Sequence, residues 1–289
     1  METTQSSSLL LLLIISCILG SCNLFDSSDE IPQIINIDSV EVETNTEQGS
    51  NSHNIDYVWI FSEGNSLGTF EIPISAPFLQ SENGPVPLDY NAGVKKNGFI
   101  SEIVLYPFYQ NITETINYES GSSYTPNLTF TYKENTQFRL VEDFETNHIF
   151  TRDADDNSST QLEVSSDNPK DGQFSGLMKV DTSQREIEVA SQFFMENVPL
   201  NGSAVYLELD YRNDVEFEVG LIGGGNNLSF KNYLIVLNPK EDWNKIYIDL
   251  TQPLIGSQLP GYTVLFKLTL PDGASEGNVY LDNIKFLHF

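Results

Sequence analysis

The chain has 289 residues, 39% hydrophobic and 11% aromatic, and its 41 Asp and Glu against 14 Lys and Arg give a formal net charge of −27. Nucleic-acid binding depends on Lys and Arg that neutralise phosphates, so this composition excludes a nucleic-acid partner. The charge favours solubility, and calcium binding by carboxylates is the alternative explanation of the same acidic composition.

The N-terminus carries an apolar segment whose core, residues 9–15, is LLLLLII. It extends to residue 19, and about eleven residues are too few to cross a bilayer, which needs roughly 20. We therefore predict an export signal over residues 1–21. The sequence Leu-Gly-Ser-Cys at 19–22 resembles the lipobox of bacterial lipoproteins. This resemblance implies cleavage before Cys22 and a membrane anchor of acyl chains on that residue.

Two other interpretations of this segment stay open. Ile-Ile-Ser-Cys at 14–17 offers Cys17 as a second acceptor, and the apolar run is also compatible with a buried strand or helix of a folded domain. Residues 1–8 lack the Lys or Arg that a signal peptide normally carries there. Both cysteines of the chain lie in this segment, so a mature protein beginning at Cys22 has no disulfide.

Residues 22–33 are rich in Ser, Asp and Glu, which bury too little apolar area to fold, and we predict a lipidated tether. From 34 to 134, short runs of β-branched and aromatic residues alternate with turn residues, which predicts about seven strands and an antiparallel β-sandwich. Asn97-Gly98, between the runs 88–96 and 99–106, predicts a hairpin whose turn has positive φ at both residues. The segment YVWIFSEGNSLGTFEIP at 57–73 resembles PEGA-type and other immunoglobulin-like (Ig-like) surface modules, which implies an Ig-like sandwich.

Residues 135–289 are predicted to form a second β-sandwich. Apolar and polar residues alternate at 205–211 and 246–250, and further predicted strands include 186–190. No helical pattern lies between the strands, so a sandwich or jelly roll is favoured over a parallel sheet. This unit resembles the galactose-binding-like jelly rolls that include many carbohydrate-binding modules. The segments that carry the resemblance are 142–145, 171–177, 207–211, 243–250 and 279–286.

This resemblance also implies a metal site. In such jelly rolls the first strand, the loop after it and the last strand often meet around a structural Ca²⁺. Glu145, Asp171 and Asp282 match these places, and carboxylate oxygens are the ligands that Ca²⁺ requires. The alternative is that Glu145 and Asp171 are solvated while Asp282 accepts hydrogen bonds from a neighbouring loop backbone.

Aromatic residues are the candidates for stacking on a sugar ring. Trp243 opens a strand in a pattern typical of an inward-facing residue, so we expect it in the core. Tyr106, Phe108 and Tyr109 in the first unit, or Tyr233 in the second, are then the candidate sugar-stacking residues.

Catalytic motifs are missing from the sequence: it has no HExxH and no GxSxG. The segment Gly-Gly-Gly-Asn-Asn at 223–227 lacks the lysine and the helix of a phosphate loop, so we predict a flexible loop at a sheet edge. The sequence thus predicts a lipid-anchored, extracytoplasmic, non-enzymatic protein of the cell envelope, most simply the outer membrane, that binds a glycan or another surface polymer. A structural component of a cell-envelope protein complex is the first alternative. A glycan hydrolase with an unrecognised carboxylate pair is the second.

Overall fold

The computed structural model describes residues 31–225 and 228–289. The predicted signal peptide, the acceptor Cys22 and most of the tether therefore lie outside the described residues, and the lipid anchor stays a prediction. The described part of the chain contains twenty-two strands and one short helix, which confirms the all-β class. Within that part, no helix has the length and apolar character that a membrane span needs.

The first unit is built from ten strands: β1 (Gln33–Ile37), β2 (Glu41–Glu43), β3 (Tyr57–Ser62), β4 (Asn65–Glu71), β5 (Ile74–Phe78), β6 (Gly84–Lys95), β7 (Ile103–Leu105), β8 (Ile112–Tyr118), β9 (Ser123–Tyr124) and β10 (Thr129–Thr131). Strands β4, β3, β6 and β7 are neighbours in a five-stranded sheet, with β8 also paired to β6. Strand β1 lies between β5 and β9 in a second sheet, and β2 pairs with β10. The β1–β9 and β2–β10 ladders are parallel, which departs from the predicted antiparallel pairing.

The predicted hairpin at Asn97-Gly98 is present, since β6 and β7 pair antiparallel and the two residues have φ of 54° and 73°. Its turn is longer than two residues and also contacts the second unit. The Asn97 N–H donates to the carbonyl of Tyr247 at 2.8 Å, and the Asn97 Oδ1 accepts the Asp249 N–H at 2.8 Å. The turn is therefore fixed on the edge of the second unit.

The second unit is built from twelve strands and one helix: β11 (Gln137–Glu142), β12 (Arg152–Asp153), β13 (Glu163–Ser165), β14 (Ser175–Asp181), β15 (Glu186–Ala190), β16 (Met195–Glu196), β17 (Val205–Asn213), β18 (Phe217–Gly225), β19 (Leu228–Leu237), β20 (Lys240–Asp249), α1 (Thr251–Ser257), β21 (Gly261–Thr269) and β22 (Glu276–His288). Two six-stranded sheets face each other. The sheet that contacts the first unit, called the near sheet, has the order β13-β14-β22-β17-β20 with β11 on β22. The other sheet, called the far sheet, has the order β12-β15-β21-β18-β19 with β16 on β21.

The loop predicted over residues 223–227 is wrong for its three glycines, which lie in β18, while Asn226 and Asn227 lie outside the described residues. Gly223 pairs with Phe230 of β19 on one side and Tyr262 of β21 on the other. A Cβ at Gly223 would lie 2.4 Å from the Leu259 Cδ1. The glycine therefore lies in close packing at the end of the far sheet, where a larger residue would displace the Leu259 side chain.

Each unit has its own apolar core, and the two cores meet at the near sheet. The core of the second unit fills the space between its sheets and includes Phe217, Phe266 and Phe286. The core of the first unit continues onto Tyr206 and Tyr247 on the outer face of the near sheet. The near sheet is therefore buried on both faces at this place, one against its own core and one against the first unit.

Candidate functional site

The predicted calcium ligands lie around one cleft of about 540 Å³ whose lining includes Asp143, Glu145 and Asp171. The Oε1 of Glu145 accepts the backbone N–H groups of Gln173 at 2.8 Å and Phe174 at 2.9 Å. This carboxylate therefore organises the loop before β14.

Asp282 lies behind this cleft and is buried. Its Oδ2 accepts the N–H groups of Lys170 at 3.1 Å and Asp171 at 3.3 Å. These are the hydrogen bonds from a neighbouring loop backbone that were the alternative to a calcium site for this residue. Its Oδ1 accepts the N–H of Asn283 at 2.8 Å. Burial raises the pKa of Asp282 to about 7, and the backbone donors only partly offset this effect.

Asp171 joins this region to the first unit, because its Oδ2 accepts hydrogen bonds from the Ser50 hydroxyl at 2.5 Å and the Asn283 amide at 2.8 Å. Within residues 31–225 and 228–289, no group of three or more His, Cys, Asp or Glu side chains is arranged to hold a metal ion. The calcium site stays a prediction. Thermal melts with Ca²⁺ and with chelator check it, and an unchanged midpoint would remove it.

The aromatic residues predicted to stack on sugars in the first unit are buried: Tyr106, Phe108 and Tyr109 have 3%, 0% and 4% of their surface exposed. Tyr106 packs edge-on against Tyr206 and also contacts Tyr247, so these rings form the contact between the two units. The prediction that they bind a ligand is therefore wrong. The sequence shows these residues as an aromatic cluster but does not show that the second unit covers them.

Trp243 is only half-buried, which makes the prediction of a core position wrong. It lies on the outer face of the near sheet, beyond the part that the first unit covers. Its indole N–H donates to the carbonyl of Asn168 at 2.8 Å, and the Arg212 guanidinium lies 5.8 Å from the ring.

Tyr233 is half-buried on the outer face of the far sheet. Its hydroxyl donates to Glu188 at 2.5 Å, and the Lys267 Nζ lies over its ring at 5.4 Å. The hydroxyl and one ring face of this candidate are therefore already engaged within the chain.

A buried group of charges joins the two units and was missed by the sequence analysis. The carboxylate of Glu208 is fully buried and accepts the hydroxyls of Tyr106 at 2.5 Å and Tyr132 at 2.9 Å. The Lys245 Nζ lies 3.5 Å from Glu208 and 3.6 Å from Asp210. Because it is shielded from solvent, this group fixes the orientation of the units and offers no ligand site.

One surface cleft differs from the others in its charge. Four other clefts among the described residues have charged side chains or a histidine in their lining. The cleft at the β18–β19 edge of the far sheet has a volume of about 360 Å³ and no charged lining residue. Its lining consists of Leu221, Gly223, Phe230, Asn232, Pro253, Ser257, Leu259 and Tyr262. We call it the Phe230 cleft.

The geometry of the Phe230 cleft follows from its neighbours in the sheet. Phe230 is directly opposite Gly223 in the β18–β19 ladder, and Phe230 is 56% exposed. The Tyr262 hydroxyl is fixed at the back, since it accepts the Leu259 N–H at 2.9 Å and lies 2.7 Å from the Ser257 hydroxyl. Helix α1 forms the opposite wall through Pro253 and Ser257.

The chemistry of this cleft suits an uncharged, amphipathic ring. The exposed Phe230 face and the aliphatic side chains can cover C–H groups, while the Asn232 amide and the Ser257 hydroxyl can exchange hydrogen bonds with a ligand. Its lining contains no nucleophile with an adjacent base, so the arrangement supports binding and not catalysis. Sequence reasoning missed Phe230 because it stands alone between Ser229 and Lys231, with no aromatic cluster or motif to mark it.

No family model and no curated protein matches this sequence. Among solved structures, the chain is similar to a family 30 carbohydrate-binding module, with 14% identity, a TM-score of 0.40, and coverage of 51% of this chain and 87% of that one. It is also similar to a family 30 module of a Clostridium thermocellum cellulosomal cellulase, with 14% identity, a TM-score of 0.36, and coverage of 52% and 92%. A third is a xylan-binding domain from family 22, with 14% identity, a TM-score of 0.36, and coverage of 53% and 96%. Likenesses at this level carry no functional argument.

Proposed function

We propose that this protein binds a neutral glycan in the Phe230 cleft and is not an enzyme. The observation that carries the proposal is the cleft itself: an exposed aromatic ring beside an amide and a hydroxyl, in a lining without charge. A sugar ring has the matching surface, with C–H groups that pack on an aromatic face and hydroxyls at its rim.

The charge of the chain supports a neutral ligand over an acidic one. At −27, the protein repels anionic polymers such as uronate-rich or sulfated glycans over a distance of about 10 Å in ordinary buffers. The Phe230 cleft has no Lys or Arg in its lining to overcome this repulsion. A neutral polysaccharide meets no such barrier.

We also propose that the protein is held outside the cytoplasm by acyl chains on Cys22. The apolar run before it and its lipobox-like setting support this anchor. Metabolic labelling with a palmitate analogue should tag the parent chain and not the Cys22→Ala variant. Equal labelling of the two would contradict the anchor while leaving the glycan proposal untouched.

The glycan proposal is tested by retention of the purified full chain in affinity gels of neutral polysaccharides. We expect retention by at least one polymer, and we expect Phe230→Ala to weaken binding about tenfold or more, which corresponds to about 1.4 kcal/mol. The matched control is Phe193→Ala, since Phe193 is 60% exposed and does not line the cleft. Retention by none of the polymers would overturn the proposal and favour the alternative of a cell-envelope assembly component.

A further inference from the structure

The Phe230 cleft does not end at helix α1. A second cleft of about 330 Å³ begins at Pro253, in the first turn of the helix, and this residue lines both clefts. The second cleft is lined by Leu234 and Ile235 of β19 and by Ile248 of β20. The two clefts therefore adjoin along one side of the sandwich, where the far and near sheets end in β19 and β20.

Strand β19 shows that the clefts form one groove. Phe230 and Asn232 line the first cleft, and Leu234 and Ile235 line the second, where a register shift in the β18–β19 ladder lets two successive residues face the cleft. The four residue steps from Phe230 to Leu234 span about 13 Å, at about 3.3 Å per residue of extended strand. The groove is therefore longer than a single sugar ring.

The far end of this groove belongs to the first unit. Phe99, in the turn after Asn97, lines the second cleft and is 53% exposed. The turn that carries it is held on β20 by the Asn97 contacts described above. Three charged residues line this cleft: Lys96 and Glu102 are paired at 2.8 Å and largely cancel one another, and Asp249 leaves one net negative charge. Phe99 thus offers a second exposed aromatic ring in a setting with little net charge.

We propose that the groove binds one extended, neutral oligosaccharide, with one sugar on Phe230 and another, further along the chain, on Phe99. The first unit is then part of the binding site and not only a spacer. This inference rests on the proposed function of the Phe230 cleft and adds the size of the ligand and the second subsite. An extended chain fits better than a compact ligand, because only an extended chain covers both rings at once.

The experiment compares short and long ligands by isothermal titration calorimetry of the purified full chain. The probes are cello-, manno- and xylo-oligosaccharides of two and six residues. We expect the parent to bind the hexasaccharide of at least one series tenfold or more tightly than the disaccharide. Phe99→Ala should remove most of this difference by weakening hexasaccharide binding, and it should leave disaccharide binding unchanged. Phe230→Ala should weaken both.

The matched control is Ile100→Ala, because Ile100 is adjacent in sequence, 77% exposed and outside the lining of the groove. Phe99 and Ile100 are both exposed, so we expect their alanine variants to fold, and thermal melting of each variant verifies this. If Phe99→Ala binds the hexasaccharide as the parent does while Phe230→Ala weakens both ligands, the extended groove is refuted and the Phe230 site stands. If Phe230→Ala changes neither ligand, or the parent binds none of the six probes, both proposals fail.

Discussion

Replacing Lys245 with methionine should destabilise the whole protein, because this lysine neutralises carboxylates buried between the two units. Its side chain is 2% exposed, and those of Glu208 and Asp210 are 0% exposed. Methionine keeps most of the volume of the lysine stem but removes the ammonium. The two carboxylates then lose a cation without regaining water, and this loss is the cost that the substitution measures.

The magnitude follows from the distances. Removing one partner of a buried ion pair costs about 3–5 kcal/mol. The Lys245 Nζ lies 3.5 and 3.6 Å from its two carboxylates, and Lys285 is a second cation in the same interface, so we expect the lower end of this range. For a unit of this size, 1 kcal/mol shifts the melting temperature by about 2–4 °C. A loss of about 3 kcal/mol therefore lowers it by about 6–12 °C.

Differential scanning calorimetry of the parent and variant measures this change. The matched control is Lys179→Met, since Lys179 and Glu276 lie 3.6 Å apart with side chains 55% and 60% exposed. An exposed pair of this kind contributes at most about 1 kcal/mol, so the control should melt close to the parent. A Lys245→Met variant that melts no lower than the control would refute the view that these charges are buried and coupled.

Two further predictions concern the interface and the cleft. Burial lowers the pKa of Lys285 to about 8, below its value of about 10.4 in the unfolded chain. Between these two values the unfolded chain binds more protons than the folded protein, so this group makes stability rise with pH from about 8 towards 10. Urea unfolding at pH 8 and 9.5 should show this contribution in the parent and not in Lys285→Met; identical slopes would contradict it. Gly223→Ala should weaken glycan binding, because its Cβ would lie 2.4 Å from Leu259 and push that side chain into the cleft. Gly256→Ala in α1, with nothing within 4 Å of the new Cβ, should bind normally and gain about 0.5–1 kcal/mol of stability in thermal melts, and a loss of binding there would contradict this explanation.

The sequence was sufficient for the parts of the fold that depend on local chemistry. Strand β15 has the predicted bounds of 186–190, because β-branched residues in alternation specify a strand by themselves. The positive φ angles at Asn97 and Gly98 likewise follow from the residue types, since these two tolerate the left-handed region. Local propensity and turn chemistry therefore determined the all-β class and the position of individual strands and turns along the chain.

Only the tertiary structure decided which faces are covered. Alternation placed Glu208 and Asp210 on one side of their strand, as for a solvent-facing surface, yet that side is buried against the first unit. The same limit applies to aromatic residues: Phe108 and Phe230 are 0% and 56% exposed, because distant chain segments cover one ring and not the other. A period of two residues fixes which side chains share a face, whereas the burial of that face depends on chain segments far away in the sequence. The sites of binding and of contact between the units are set by that long-range packing.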